Sequence, residues 1–188
     1  NNMRITTCKL SSISPYSQSR YHETPKLNKE QPDDYRQRTW REHLHYDENG
    51  VYIPPMTFKN CLSEAAKFLS VQIPGKGKST YTKHFEAGVL VLEPCPLGIK
   101  KEDVEHENLF LPSDGVRGSG KRVIKTYPVI REWATTCTFY VQDDMITEEV
   151  FRYHLEQAGT FIGIGRFRPR NNGYYGRFKL DSMEWLSD

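Results

Sequence analysis

At 188 residues the chain has the length of one domain. Its 26 lysines and arginines against 24 acids leave a formal charge of +2, and 37% hydrophobic with 12% aromatic residues supports a core surrounded by long polar segments. A wholly disordered chain is excluded by the aromatic content, and a membrane span by the lack of any long apolar run. Met3 is the expected start, and the residues after it lack the layout of a signal peptide, so the expectation is a soluble, cytoplasmic protein that does not engage a membrane. Cys8, Cys61, Cys95 and Cys137 lie far apart with no paired spacing, which argues against a disulfide framework and a compact zinc site.

In chain order, the Thr- and Ile-rich run after Met3 predicts a strand to about Ile13, with Thr6, Cys8 and Leu10 on one face and Ile5, Thr7 and Lys9 on the other. Residues 14–50 carry Ser, Pro and charges of both signs with few aliphatics, and predict a long polar loop or arm. Within it Trp40 and Leu44 hint at a short helix, and Asp47-Glu-Asn-Gly50 predicts a turn leading into Val51-Tyr-Ile53. Phe58, Cys61, Leu62, Ala65, Phe68 and Leu69 recur at helical spacing after Pro54-Pro55 and predict a helix over 56–69. A basic loop follows, then the apolar run 87–92 predicts a buried strand. Residues 94–128 read as a second long irregular insertion. Ala134 to Val141 is rich in β-formers, Thr147-Glu-Glu149 opens a second helix ending at Gly159, and Tyr175 to Leu180 predicts the last strand.

The order is strand, helix, strand, strand, helix, strand. A single α+β domain over 3–188 is expected, ferredoxin-like βαββαβ with an antiparallel sheet, helices on one face and long inserted loops. The uncovered sheet face needs a loop, a partner or a nucleic acid.

The stretch 160–180 holds Arg166, Arg168, Arg170, Arg177 and Lys179 without one acid, interleaved with Phe167, Tyr174, Tyr175 and Phe178 and several glycines. Guanidinium groups fork onto phosphate oxygens and exposed rings stack on unpaired bases, so this pattern suits a single-stranded nucleic acid. Lys76, Lys78 and Lys83 form a second basic cluster, and Arg117, Lys121, Arg122 and Lys125 a third. Three such surfaces gathered by folding would make a groove for a polyanion. The opposing reading is a hairpin with core aromatics and solvated arginines.

Two Walker-like stretches fail: Gln72 stands where the first needs glycine, and Arg122 where the second needs a hydroxyl. No cofactor is therefore expected. His22, His43, His45, His84, His106 and His154 are read mainly as exposed loop residues, Asp143-Asp144 as the approach to the second helix, and Asp33-Asp34 as turn residues; no metal ligand set and no catalytic residue is assigned. Cys8, Cys61 and Cys137 are expected in the core.

Three segments resemble the RAMP superfamily of CRISPR effector proteins. Val51-Tyr-Ile-Pro-Pro-Met-Thr-Phe-Lys59 ahead of a helix is similar to the family's I-P-G-S-S-L-K-G motif, with Lys59 at the lysine position, Pro55-Met-Thr57 in place of its small residues and Asn60 in place of its last glycine. Residues 159–178, GTFIGIGRFRPRNNGYYGRF, resemble the glycine-rich loop, and residues 94–128 sit where backbone subunits carry a thumb. The resemblance implies a non-catalytic protein binding single-stranded nucleic acid, RNA in preference to DNA, within a self-associating or larger ribonucleoprotein. Lys59 joins the expected binding residues on that basis. A protein-interaction or inhibitor subunit and a metal-independent endoribonuclease are the competing expectations.

Overall fold

The first strand is present as β1, Arg4–Ser12, and its alternation sets the sheet's two faces. In the computed structural model, which describes residues 3–118 and 120–187, Thr6, Cys8 and Leu10 are buried while Ile5, Thr7 and Lys9 look out from the other side. Helix α1 follows at Pro32–Thr39, then a hairpin of β2, Tyr46–Asp47, and β3, Gly50–Ile53, at the expected turn. Helix α2 is Pro55–Leu69, started by a proline and stopped at Ser70 in the left-handed conformation. A short helix α3, Thr82–Gly88, leads into the two-residue strand β4, Val89–Leu90, and β5 is Cys95–Pro96. Next come β6, Glu105–Pro112, β7, Arg122–Val129, and β8, Ala134–Val141. Helix α4, Glu148–Gln157, begins at Thr147, whose hydroxyl accepts from the Val150 amide, and runs on through a π-turn at Ala158–Ile162; strand β9, Phe178–Ser187, ends the fold.

The main sheet runs β4-β8-β1-β9, with β1 antiparallel to both β8 and β9. Taking β1, α2, β4, β8, α4 and β9 as the βαββαβ core, this is the ferredoxin-like strand order. Buried Phe58, Cys61, Leu62 and Ala65 of α2 and Phe151 and Leu155 of α4 cover the inner face. Phe58 meets Phe178 edge-on at 5.4 Å and Phe139 meets Phe151 at 5.1 Å. Each such ring contributes roughly 1.5–3 kcal/mol by burial. Gly159 lets the end of α4 cross β9 closely, because a Cβ there would strike the Phe178 carbonyl.

Several expectations need correction. The insertion 94–128 is not irregular: β6 and β7 pair in register from Glu105 with Val129 to Pro112 with Arg122, making a long hairpin. The apolar run 87–92 is half helix, with only two residues pairing in the sheet. The last strand starts later and runs further than expected. The arm is ordered and packed, with Tyr16, Trp40 and Leu44 buried. Among the histidines only His106 is exposed; His154 is buried in α4, donating from Nδ1 to the Val150 carbonyl, and His84 pairs with Asp143 at 2.7 Å. All four cysteines are buried and free. No helix among the described residues is long and apolar enough to cross a membrane.

Candidate nucleic-acid interface

The arginine-rich stretch does not lie on a sheet surface. Residues 163–177 form a loop with positive φ at Gly163, Gly165, Phe167, Asn172 and Gly176, and only from Phe178 does the chain join the sheet. The loop is stitched to the start of the arm: the Gly176 amide donates to the Pro15 carbonyl at 2.7 Å and the Arg166 amide to the Ser17 carbonyl at 2.9 Å. Any side chain on Gly176 would run into the Ile164 carbonyl, so glycine is required there by both space and φ. The loop thus presents alternate side chains to opposite sides.

On one side lies a groove of about 590 Å³ beside α2, lined by Lys59, Glu64, Lys67, Glu86 and Arg168 among others. Its charges are largely spoken for. Arg168 makes a forked pair with Glu64, both bonds 3.0 Å. Lys59 is buried and donates to the Phe85 and Glu86 carbonyls at 2.6 and 2.7 Å, closing the end of α3; burial lowers its pKa. Arg168 and Lys59 are therefore engaged within the protein, contrary to the expectation of free phosphate ligands.

On the other side a cleft of about 610 Å³ opens between the arm, the β6–β7 hairpin and the loop. Arg20, Lys26, Arg36, Lys125 and Arg166 line it with His22, His43 and three tyrosines, and none of its lining residues is acidic. Arg20 and Arg36 pair outward with Glu42 and Asp33, whereas Lys26, Lys125 and Arg166 have no ion pair among the described residues. Arg166 lies 3.8 Å from the centre of the Tyr127 ring, a cation–π contact worth about 2 kcal/mol when shielded from water. Its Nη1 is buried without a hydrogen-bond partner among the described residues, and burial lowers its pKa to about 10. It stays charged at neutral pH.

Tautomers of the two cleft histidines follow from their partners. His43 Nδ1 faces the Arg20 carbonyl at 3.1 Å and must carry the proton, which leaves Nε2 an acceptor in the neutral ring. His22 Nδ1 accepts from the Thr24 amide at 3.4 Å, so its neutral ring carries the proton on Nε2. The two rings touch edge to face at 4.7 Å. Desolvation, followed by the charges of Arg166, His22 and Arg20, lowers the His43 pKa.

The remaining expected residues scatter. Arg117, Lys121 and Arg122 are exposed toward the hairpin's distal end, with Arg122 over the Phe110 ring at 5.1 Å. Of that cluster only Lys125 reaches the cleft. Lys76, Lys78 and Lys83 are exposed on the turn after α2 and on α3, and line neither depression. Arg170 is exposed above the Phe68 ring, Tyr174 is exposed, and Arg177 is half-buried. Tyr175 braces the hairpin instead of offering a free ring: its hydroxyl donates to Glu107 at 2.7 Å, which with burial raises its pKa to about 12. The cleft residues that sequence reasoning missed are Arg20, Lys26, Arg36, Tyr21, Tyr35 and Tyr127, whereas His22 and His43, expected as exposed loop residues, line the cleft half-buried. In the arm their charges are interspersed with acids that fold outward, so no local excess marks them.

Sheet order and helix placement define a ferredoxin-like α+β protein with an ordered arm and hairpin added. Among solved structures it is similar to a chain of the cryo-EM structure of the type III-B Cmr-beta bound to cognate target RNA, with 10% identity, a TM-score of 0.57, and 98% of this chain covered. The chain spans 61% of the length of that neighbour. Cmr6 from Pyrococcus furiosus is also similar, with 12% identity, a TM-score of 0.49, and coverage of 96% of this chain and 98% of that one. The likeness to the first of these is one of fold, a ferredoxin-like α+β arrangement. Neither a protein-family model nor a curated protein sequence matches the chain.

Proposed function

We propose that this chain is a cytoplasmic, RNA-binding subunit of a CRISPR-type ribonucleoprotein, holding single-stranded RNA without cutting it. The observation that carries the reading is the cleft with no acid among its described lining residues, where Lys125 and Arg166 come from distant parts of the sequence and neither has an ion pair among the described residues. A backbone phosphate supplies the anion that such a surface favours. The chain of similar fold belongs to the structure of the type III-B Cmr-beta bound to cognate target RNA, which supports RNA in preference to DNA. The β6–β7 hairpin would serve as a thumb, its exposed Arg117, Lys121 and Arg122 reaching a strand or a neighbouring subunit, and Arg170, Arg177 and Tyr174 would extend the track. The test is fluorescence anisotropy of a labelled single-stranded RNA over a salt series. Wild-type binding should weaken steeply with salt, and Arg166→Ala with Lys125→Ala should reduce both affinity and salt slope. Equal affinity in the double variant would refute the reading.

The histidine pair favours a second reading, a metal-independent endoribonuclease. With a strand in the cleft, a 2′-hydroxyl would attack the adjacent phosphorus while its proton passes to His43 Nε2. With His22 in its imidazolium form, the departing 5′-oxygen would take a proton from its Nε2, leaving a neutral ring, a cyclic phosphate and a free 5′-hydroxyl. Incubation with RNA in EDTA decides it: cleavage lost in His43→Gln supports it, and no product refutes it.

A further inference from the structure

We propose that the cleft between arm and hairpin is a pocket for one nucleotide, its phosphate seated on Arg166 and its base stacked on Tyr21. This rests on the reading of the chain as an RNA-binding subunit and says what the cleft itself holds.

The phosphate position follows from Arg166. Its backbone is fixed by Ser17, one face of its guanidinium is covered by Tyr127, and Nη1 is buried without a protein partner among the described residues. A buried guanidinium with spare donors is costly until an anionic oxygen meets it. Lys125, free of ion pairs among the described residues, lines the same cleft, and so does His22, whose neutral ring has its proton on Nε2 for donation to an oxygen. The three come from separate segments and line one cleft, so a phosphate, with more free oxygens than a carboxylate, can accept from more than one of them at once.

The pocket is bounded. Gln37 of α1 donates to Asn108 at 3.1 Å and to Thr126 at 2.9 Å, tying the arm to the hairpin along one wall. A volume of about 610 Å³ lies in the usual range for sites that take a cofactor-sized ligand. For the base, the rings of Tyr35 and Tyr127 already carry cations, Lys26 and Arg38 over the first and Arg166 over the second. Tyr21, whose hydroxyl donates to Glu23 at 2.8 Å, is 78% exposed, and among the described residues no cation covers its ring. Stacking there tolerates any base, since each has a π-face.

The experiment is isothermal titration of the whole protein with AMP, adenosine and inorganic phosphate, beside short RNAs that carry either a 5′-phosphate or a 5′-hydroxyl. AMP should bind at least about 10-fold more tightly than adenosine, and Arg166→Gln should weaken AMP by a similar factor. Tyr21→Ala should cost roughly 5-fold against AMP and leave inorganic phosphate unaffected. Lys9→Ala, on the open sheet face, should change nothing. Tighter binding of the 5′-phosphorylated RNA would support the pocket as a reader of strand ends, and equal binding would support it as a seat for an internal phosphate. The pocket is overturned if AMP binds no better than adenosine, or if Arg166→Gln melts like wild type yet binds AMP unchanged. Should that variant fail to fold, Lys125→Ala carries the same test. Failure of AMP with retained binding of long RNA sinks the pocket and leaves the RNA-binding reading standing; AMP binding with no RNA binding does the reverse.

Discussion

Arg166 and Arg168 stand two residues apart in one acid-free run, yet they live in opposite electrostatic settings. Arg168 turns toward α2 and is neutralised by Glu64, while Arg166 meets the Tyr127 ring and, among the described residues, no carboxylate. Phe167, the one residue between them, has a φ of 60°, and this left-handed turn separates the two side chains. Local density of positive charge therefore says little about where a polyanion can bind. What counts is whether distant acids fold onto each cation.

The harshest way to break the comparison is to remove the loop's geometry. Gly176→Ala places a side chain against the Ile164 carbonyl at a positive φ, and should cost on the order of 2–3 kcal/mol, read as a lower midpoint in urea unfolding together with a loss of RNA binding at the cleft and of the Arg168–Glu64 pair on the other side. Next, the two arginines should part company. Arg166→Ala should weaken RNA binding by roughly 10-fold or more with little loss of stability. Arg168→Ala should leave RNA affinity within about 3-fold and lower stability by about 1 kcal/mol, the usual scale of a half-exposed forked pair. Equal effects from the two substitutions would erase the distinction. A smaller effect belongs to Lys125→Ala, which should lower the slope of log affinity against log salt by about one, whereas Lys67→Ala in the charge-balanced groove should leave it unchanged.

Smallest is the response to pH. Burial lowers the pKa values of His43, His45 and His154 below their ordinary 6.5, so the unfolded chain binds these protons more readily. The stability they contribute is complete above 6.5 and drains away as pH falls below it. Melting temperature should drop on acidification below about pH 6.5, less so in His43→Gln. Bound RNA should reduce the drop, because a phosphate beside His43 favours its charged form against Arg20, His22 and Arg166.

Much of the core was legible before any coordinates. Phe58 to Leu69 and the run 134–141 carry their periodicity openly, because each buries one stripe or one face on its own element. Strand β9 was harder, since the exposed polar residues Ser182 and Glu184 pair with β1, Asp181 is skipped where the register shifts, and the positive φ of Gly176 delays the strand's start. The hairpin was harder because neither half alternates cleanly, with Leu109-Phe-Leu111 and Val123-Ile124 in succession, and its Asp114-Gly115 turn signal sits in a longer basic, glycine-rich stretch. For the candidate site, Arg166 stood out in sequence, but nothing nearby separated it from Arg168. Glu64, the residue that does so, lies 104 positions away.

The seam joining Pro15 and Ser17 to Gly176 and Arg166 links segments far apart in the sequence. Contacts of such high sequence separation are slow to form, because a long loop must close before they reward it. The proposed cleft therefore takes shape only once both segments are in place. Until then its cations stand apart from one another.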